Sequence, residues 1–231
     1  MDNLTYNEGK ERLIEVDGVK YARYAIKTKV IDEFDKIEDV AYEFVKPHIV
    51  DGDVVFISEK AVACSQKRAV PLSEIHPSRL ARFLTKFVYK SPYGIGLSMP
   101  ETMEMALREC GRIRILFAAA ISAVGKLFGI RGWFYKVAGY KAESIDGPTP
   151  YTLPPYNKCV VLGPEDPDGV AKKISEKLGT TALIVDINDL AGRILGAPDG
   201  IDRNLYARIL KDNPLGQNNQ QTPMGIIRIE E

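Results

Sequence analysis

The sequence is poor in the residues that build disulfide frameworks and metal clusters. Among 231 residues there are three cysteines and two histidines. Cys64, Cys110 and Cys159 are widely spaced, with no C-x-x-C pair and no histidine cluster to complete a zinc site. This pattern excludes a disulfide-stapled fold and the common structural zinc sites. We therefore expect a protein of the reducing cytoplasm.

An excess of charge of either sign is also absent. Thirty-one Lys and Arg balance thirty-one Asp and Glu, so the chain as a whole has no basic field to hold a nucleic acid or an anionic membrane. The most apolar run, Ile115 to Val124, is about half as long as a membrane span. The segment Met1 to Leu4 does not have the character of a secretion signal. We expect neither a nucleic-acid partner nor a membrane partner.

The familiar nucleotide-binding and catalytic motifs are missing. Gly125-Lys126 is followed by Leu127 and lacks the upstream glycine of a P-loop, and no G-x-G-x-x-G follows a strand. His48 and His76 are isolated beside prolines, which is typical of turn residues. Any chemistry must depend on other local motifs.

The sequence does contain interspersed helix and strand patterns. Apolar spacing predicts helices over 34–45, 80–88, 103–110 and 168–178 and around 205–210, and apolar runs predict strands at 54–57, 158–162, 181–185 and 224–229. The stretch 158–185 reads as a β-α-β unit whose helix starts at Asp168. The apolar run Ile113 to Val124 is compatible with an interface or a core strand. Irregular segments such as 146–157 break the alternation, so we predict an α+β fold with mixed sheets packed with helices, in one domain over 1–231 with room for two lobes.

Acidic and amide residues follow one of the predicted strands. Asp186, Asn188 and Asp189 leave the apolar run 181–185 and enter a turn with Gly192. Carboxylates of this kind suit a hard divalent cation such as Mg²⁺. An Asx turn that merely ends the strand is the alternative.

A proline-rich segment, 144–157, contains Asp146 and Thr149. Prolines reduce the entropy lost when an irregular segment is held in one shape, which suits a loop that positions Asp146. A rigid connector is an equally good interpretation.

Two further segments carry polar groups near strands. Ser58, Glu59 and Lys60 end the predicted strand 54–57, and cations there would neutralise phosphate, although lysines at strand ends are often only solubilising. The second segment precedes the last strand, where its amides would read a nucleotide base or complete a metal shell, or would simply form a solvated loop. It comprises Gly216, Gln217, Asn218, Asn219, Gln220, Gln221 and Thr222.

Taken in order, these segments resemble the coenzyme F420-0:gamma-glutamyl ligase family. The residues that carry the resemblance are Gly52-Asp53 with the strand to Lys60 and Val62, Asp146 followed by Gly163-Pro164-Glu165-Asp166-Pro167-Asp168, then Asp189-Leu190-Ala191-Gly192-Arg193, and finally Leu215-Gly216-Gln217 through Thr222-Pro223 with Ile226-Ile227-Arg228. The match spans 52–228. Its most specific part is the spacing from Pro164 to Asp189.

The resemblance implies a cytoplasmic, homodimeric ligase with the fold of that family. Such an enzyme uses GTP or ATP and Mg²⁺ or Mn²⁺ to join L-glutamate to a small-molecule carboxylate acceptor through an acyl phosphate. By position, Asp146, Asp189 and Gln217 would bind metal, and Lys60, Asp146 and Asp189 would be catalytic. The nucleotide would contact Ser58, Glu59, Lys60, Thr149 and the loop Gly216 to Thr222.

The chain departs from the family pattern at several positions. Cys64 stands where the family has a second lysine, Leu190 replaces a hydroxyl residue, and the segment between Arg193 and Gly216 is shorter. A non-catalytic nucleotide- or metabolite-binding protein of the same fold is therefore the alternative hypothesis.

Overall fold

The structure is a computed structural model that describes residues 4–88, 95–130, 132–188, 192–216 and 219–230. The strands are β1 (Leu13–Val16), β2 (Val19–Ile26), β3 (Val54–Ser58), β4 (Ala69–Pro71), β5 (Cys159–Val161), β6 (Ala182–Ile187), β7 (Gly192–Gly196) and β8 (Met224–Glu230). The helices are α1 (Ile37–Phe44), α2 (Glu59–Ser65), α3 (Arg79–Leu84), α4 (Pro100–Cys110), α5 (Arg112–Leu127), α6 (Trp133–Ala138), α7 (Tyr140–Glu143), α8 (Pro167–Leu178) and α9 (Arg203–Ile209). Mixed sheet and packed helices make this an α+β fold, as predicted.

The chain divides into two compact units. Unit 1 comprises 1–67 and 164–231, and unit 2 comprises 68–163. Unit 2 is therefore inserted in the chain between α2 and α8 of unit 1. The division also separates charge, because unit 2 has thirteen Lys and Arg against six Asp and Glu, and unit 1 has eighteen against twenty-five.

Unit 1 is built on a six-stranded mixed sheet with the order β1-β2-β8-β3-β6-β7. The pair β3 and β6 is parallel, and the other neighbours are antiparallel. One apolar core joins α1, α2 and α8 to the sheet, and a second joins α9 to it. Val55 and Ile57 belong to the first core and Phe56 to the second, because successive side chains of a strand point to opposite faces.

Unit 2 is mainly helical. Its core is formed by α3 to α7 with the short β4–β5 pair, and Met103, Leu107 and Ile115 are among its buried side chains. Arg68 connects the beginning of the unit to its end, since its guanidinium donates to the carbonyl of Gly163. The same guanidinium donates to the Glu109 carboxylate at 2.6 Å. Among the described residues, no helix has both the length and the apolar character needed to span a bilayer.

Most predicted elements are present, but one topological prediction is wrong, and one of the two alternatives for the run 113–124 is excluded. The strand β5 pairs with β4 in unit 2 and not with β6, so the stretch 158–185 is not a β-α-β unit of one sheet. The apolar run Ile113 to Val124 is not a core strand but lies within helix α5. In addition, the cap of α8 is Asp166, two residues before the predicted start at Asp168.

Candidate functional site

The candidate site in unit 1 lies where several strands end at the same edge of the sheet. Because β3 and β6 are parallel and in register at Ser58 and Val185, Asp186 comes directly after the point opposite Ser58. The antiparallel strand β8 begins at this edge, and the Ser58 amide donates to the Pro223 carbonyl at 2.8 Å. We call this region the carboxyl edge: residues 58–60, 186–188 and 219–223. The carboxyl end of a parallel pair is a common place for ligand binding in sheets of this kind.

Ser58, Glu59 and Lys60 are held at the carboxyl edge by the strand-to-helix junction between β3 and α2. All three are half-buried, and Ser58 caps α2 without a side-chain hydrogen bond to the helix. The rest of α2 is anchored in the core through Val62 and its neighbours. Cys64 is buried on this helix, so the position where the family has its second lysine contributes to packing here.

The loop before β8 is held by its own polar side chains. The Thr222 hydroxyl donates to the Leu215 carbonyl at 2.8 Å, and the Gln221 amide donates to the Thr28 carbonyl at 2.6 Å. Gly216 has a φ of +77°, and a Cβ there would come within 2.7 Å of the Gln220 side chain. The Gln221 and Thr222 side chains therefore fix the shape of the loop, whereas Asn219 is exposed at its surface.

Unit 2 contains the other predicted residues that the structure describes. Asp146 is half-buried, and its backbone exchanges hydrogen bonds with Val161 at 2.8 and 2.9 Å. A Cβ at Gly147 would come within 2.7 Å of the Ile95 side chain, so this position requires glycine. The Thr149 hydroxyl lies 2.9 Å from the Thr152 hydroxyl, within a turn. The Asp146 backbone is therefore held in place by its pairing with Val161.

Three predicted residues, Asp189, Gln217 and Asn218, lie outside the described residues, as does Leu190. In the part of the chain that the structure describes, no group of three or more His, Cys, Asp and Glu side chains forms a metal-binding cluster. The described predicted residues are divided between the two units: 58–60, Gly216 and 219–222 belong to unit 1, and Asp146 and Thr149 belong to unit 2.

Several motif residues have structural roles that the sequence did not reveal. Asp53 is fully buried and accepts two hydrogen bonds of 2.8 Å from the Arg228 guanidinium and one of 2.9 Å from the Val50 amide. This bidentate pair joins the beginning of β3 to the last strand. Asp53 and Arg228 are far apart in the sequence, so the sequence alone does not predict that they pair. The pairing of β3 with β8 brings them together.

The motif Pro164 to Asp168 is also structural. Asp166 accepts from the Gly169 amide at 3.0 Å and caps α8, while Asp168 accepts from the Ala197 amide at 3.0 Å beyond β7. Pro167 starts the helix, as proline does at a first helical position. The contacts of Asp166 and Pro167 therefore specify how α8 begins.

Asp166→Ala should lower the free energy of unfolding by about 2 kcal/mol, because it removes the helix cap and places alanine at a φ of +43°. Urea denaturation would measure this. Asp202→Ala removes the cap of α9 at a negative φ and is the control for loss of a cap alone, with an expected loss of about 1 kcal/mol. Loss of activity in Asp166→Ala at unchanged stability would instead place this carboxylate in contact with substrate.

Unit 2 also contains a cavity of about 320 Å³, lined by Glu109, Cys110, Arg114, Tyr140 and Lys141 among others. Burial raises the pKa of the Cys110 thiol above its ordinary value. The cavity contains none of the residues predicted as site residues.

These features define an α+β protein of two units. Polar residues lie where the parallel strands β3 and β6 end, and the second, mainly helical unit is inserted in the chain before α8. Residues 25–197 match the family model described as F420-0:Gamma-glutamyl ligase, which covers about three quarters of the chain. The chain therefore belongs to the F420-0:gamma-glutamyl ligase family, and membership supports gamma-glutamyl ligase activity in general. No curated protein matches the chain. The matched residues include all of unit 2 and the strands β3, β6 and β7, but not the loop from Gly216 to Thr222.

Proposed function

We propose that this protein is a nucleotide- and metal-dependent ligase that joins L-glutamate to a small-molecule carboxylate acceptor. The observation that carries the proposal is the contact of Ser58 with Pro223, since it brings the segment 58–60 beside the amide-rich loop within unit 1. A hydroxyl, an ammonium group and a loop with close backbone approach together suit a nucleoside triphosphate. GTP and ATP both fit this description.

The proposed reaction has two steps. An oxygen of the acceptor carboxylate attacks the γ-phosphorus, the bond from that phosphorus to the bridging oxygen breaks, and nucleoside diphosphate leaves. The glutamate amine then attacks the acyl carbon, the carbon–oxygen bond to phosphate breaks, and inorganic phosphate and a proton are released. Lys60 would stabilise charge on the transferring phosphoryl group, and Ser58, Glu59, Thr149 and the loop 216–222 would position the nucleotide.

The proposed metal ligands are the carboxylates of Asp146 and Asp189 and the side-chain carbonyl of Gln217. All are oxygen donors, and Asp146 is half-buried on a fixed backbone, so the chemistry of the donor set fits Mg²⁺ or Mn²⁺. When bound, the metal would neutralise charge on the phosphate oxygens. Asp146 and Asp189 are catalytic in this proposal because they hold that charge at the reacting group. We further propose that the enzyme acts as a cytoplasmic homodimer.

A second candidate function is binding of a nucleotide or metabolite without catalysis. The observation that favours it is Cys64, which is buried in α2 at a position where the family has a lysine. Such a protein would bind the nucleotide without consuming it.

The test is product analysis by mass spectrometry. The protein is incubated with GTP or ATP, Mg²⁺ or Mn²⁺, L-glutamate and F420-0 labelled with ¹⁸O in its carboxylate. We expect a product heavier by one glutamyl residue and ¹⁸O in the released phosphate, because the labelled oxygen attacks phosphorus. A glutamylated product with unlabelled phosphate would exclude the acyl phosphate, and nucleotide binding without any product would favour the binding-protein function.

Lys60→Gln should weaken use of the nucleotide about tenfold or more, measured as kcat/KM for the triphosphate, because a charge-assisted contact to phosphate is lost. Lys20→Gln is a matched control, since Lys20 is an exposed lysine of unit 1 at the opposite end of the sheet. Equal kinetics in both variants would remove Lys60 from the site.

A further inference from the structure

Helix α5 has an apolar face that points away from the core of unit 2. Ile115, Ala118 and Gly125 face inward, and a Cβ at Gly125 would come within 3.0 Å of the Trp133 ring. The opposite face is a continuous exposed row, which we call the apolar stripe: Ile113, Leu116, Phe117, Ala120, Val124 and Leu127. Ile113 is 86% exposed and Leu127 84%. Helices of water-soluble proteins normally place polar residues on an exposed face. An exposed apolar stripe is instead typical of a surface that binds a partner.

More exposed apolar groups continue the stripe at its carboxyl end. Phe128 is 75% exposed directly after the helix. The Lys126 ammonium donates to the Phe87 carbonyl at 3.0 Å, which brings the 3₁₀ turn of Thr85–Phe87 beside this end of α5. Phe83 and Phe87 form an exposed edge-to-face pair with ring centres 5.1 Å apart.

The charged residues within helix α5 itself are all basic. Helix α5 carries Arg112, Arg114 and Lys126 and no acidic residue. These three residues are exposed, and Arg82 and Lys86 beside the Phe pair are exposed as well. Unit 2 has a formal excess of seven positive charges, which the neutral total of the whole chain conceals.

We propose that α5 is an interfacial helix that docks unit 2 onto an anionic lipid surface. An apolar face with basic flanks is the pattern of helices that lie in the plane of a bilayer, with the apolar side chains inserted about 5–10 Å and the basic groups near lipid phosphates. The helix lies on the bilayer and does not cross it, because it has 16 residues. The expectation of no membrane partner was based on the charge of the whole chain, the length of its most apolar run and the character of Met1 to Leu4, none of which bears on a helix that lies in the plane of a bilayer.

A second copy of the chain suits this face less well. Pairing two stripes about a two-fold axis would bring Arg112 and Lys126 of one copy near the same basic residues of the other. No acidic residue on α5 would offset that repulsion. An anionic surface complements both the apolar and the basic features.

The test is cosedimentation of the whole protein with vesicles of phosphatidylcholine alone or mixed with phosphatidylglycerol. We expect binding to the mixed vesicles that weakens with salt. The double variant Ile113→Gln with Leu127→Gln should bind at least about tenfold more weakly, since two apolar side chains no longer insert. Arg112→Gln and Lys126→Gln should each weaken binding to the anionic vesicles about fivefold. All four side chains are exposed, so these variants are expected to fold.

Phe34→Gln is the matched control, because Phe34 is an 83% exposed aromatic residue of unit 1. It should bind vesicles as the unmodified protein does. Absence of vesicle binding, or equal binding by the double variant, would overturn the proposal. A third result would also overturn it: no vesicle binding, together with light scattering that shows the unmodified protein as a dimer and the double variant as a monomer. The stripe would then be an interface between copies. None of these outcomes depends on ligase turnover.

Discussion

Asp146→Asn is expected to reduce ligase turnover about a thousandfold or more, because it removes charge at the proposed metal site. The fold should be retained. Asparagine has the same shape as aspartate, and the two hydrogen bonds that hold Asp146 to Val161 come from the backbone. Turnover is measured as phosphate release with GTP or ATP, and folding by thermal denaturation.

The control for Asp146→Asn is Glu74→Gln, which neutralises an exposed carboxylate of the same unit. It should leave turnover unchanged. If Asp146→Asn retained full activity at normal stability, Asp146 would not be a metal ligand, and the proline-rich segment would be only a connector.

Asp53→Ala is expected to lower the free energy of unfolding by about 3 kcal/mol, measured in urea. The carboxylate is fully buried, and its removal leaves the Arg228 guanidinium without its ion pair and the Val50 amide without its acceptor. Arg228 keeps some access to water and a hydrogen bond to the His48 carbonyl at 3.0 Å, so the loss should stay near the lower limit for a broken buried pair.

The matched control is Arg208→Ala, which removes another bidentate pair, with Asp17. Both of those side chains are more than half exposed, so we expect little change in stability. Equal urea midpoints for Asp53→Ala and the unmodified protein would show that the buried pair does not stabilise unit 1.

Helices with strong local signals were predictable from the sequence. The apolar spacing of 34–45 gives α1, although the helix begins only at Ile37 and leaves Phe34 exposed. Pro100 and Gly111 mark the two ends of α4, as proline and glycine commonly do. These signals are local, so they do not depend on the rest of the fold.

One strand pair was missed although its signal is present. Asp17-Gly18 joins β1 to β2, and both residues have positive φ, as a two-residue hairpin turn requires. Recognising this dipeptide between the apolar runs would have predicted the hairpin that forms one end of the sheet.

Other features depend on long-range pairing and could not be read from local sequence. The parallel pairing of β3 with β6 spans the whole of unit 2, and it places Ser58 beside Asp186. Likewise, the sequence could not exclude a core strand for the apolar run in α5, because such a run is typical of burial. In the structure the run is helical, and one of its faces is exposed. The family resemblance identified the family correctly, while the role of Asp166 as the cap of α8 and that of Asp168 as acceptor for the Ala197 amide became clear only from their contacts.

The most direct test of the proposed ligase is release of inorganic phosphate from GTP and ATP with Mg²⁺ or Mn²⁺, with and without L-glutamate and F420-0. We expect release that requires the metal and rises when acceptor and glutamate are both present, because the phosphoryl group is transferred to the acceptor. Metal-independent release, or no release together with no thermal stabilisation by either nucleotide, would contradict a nucleotide-dependent ligase.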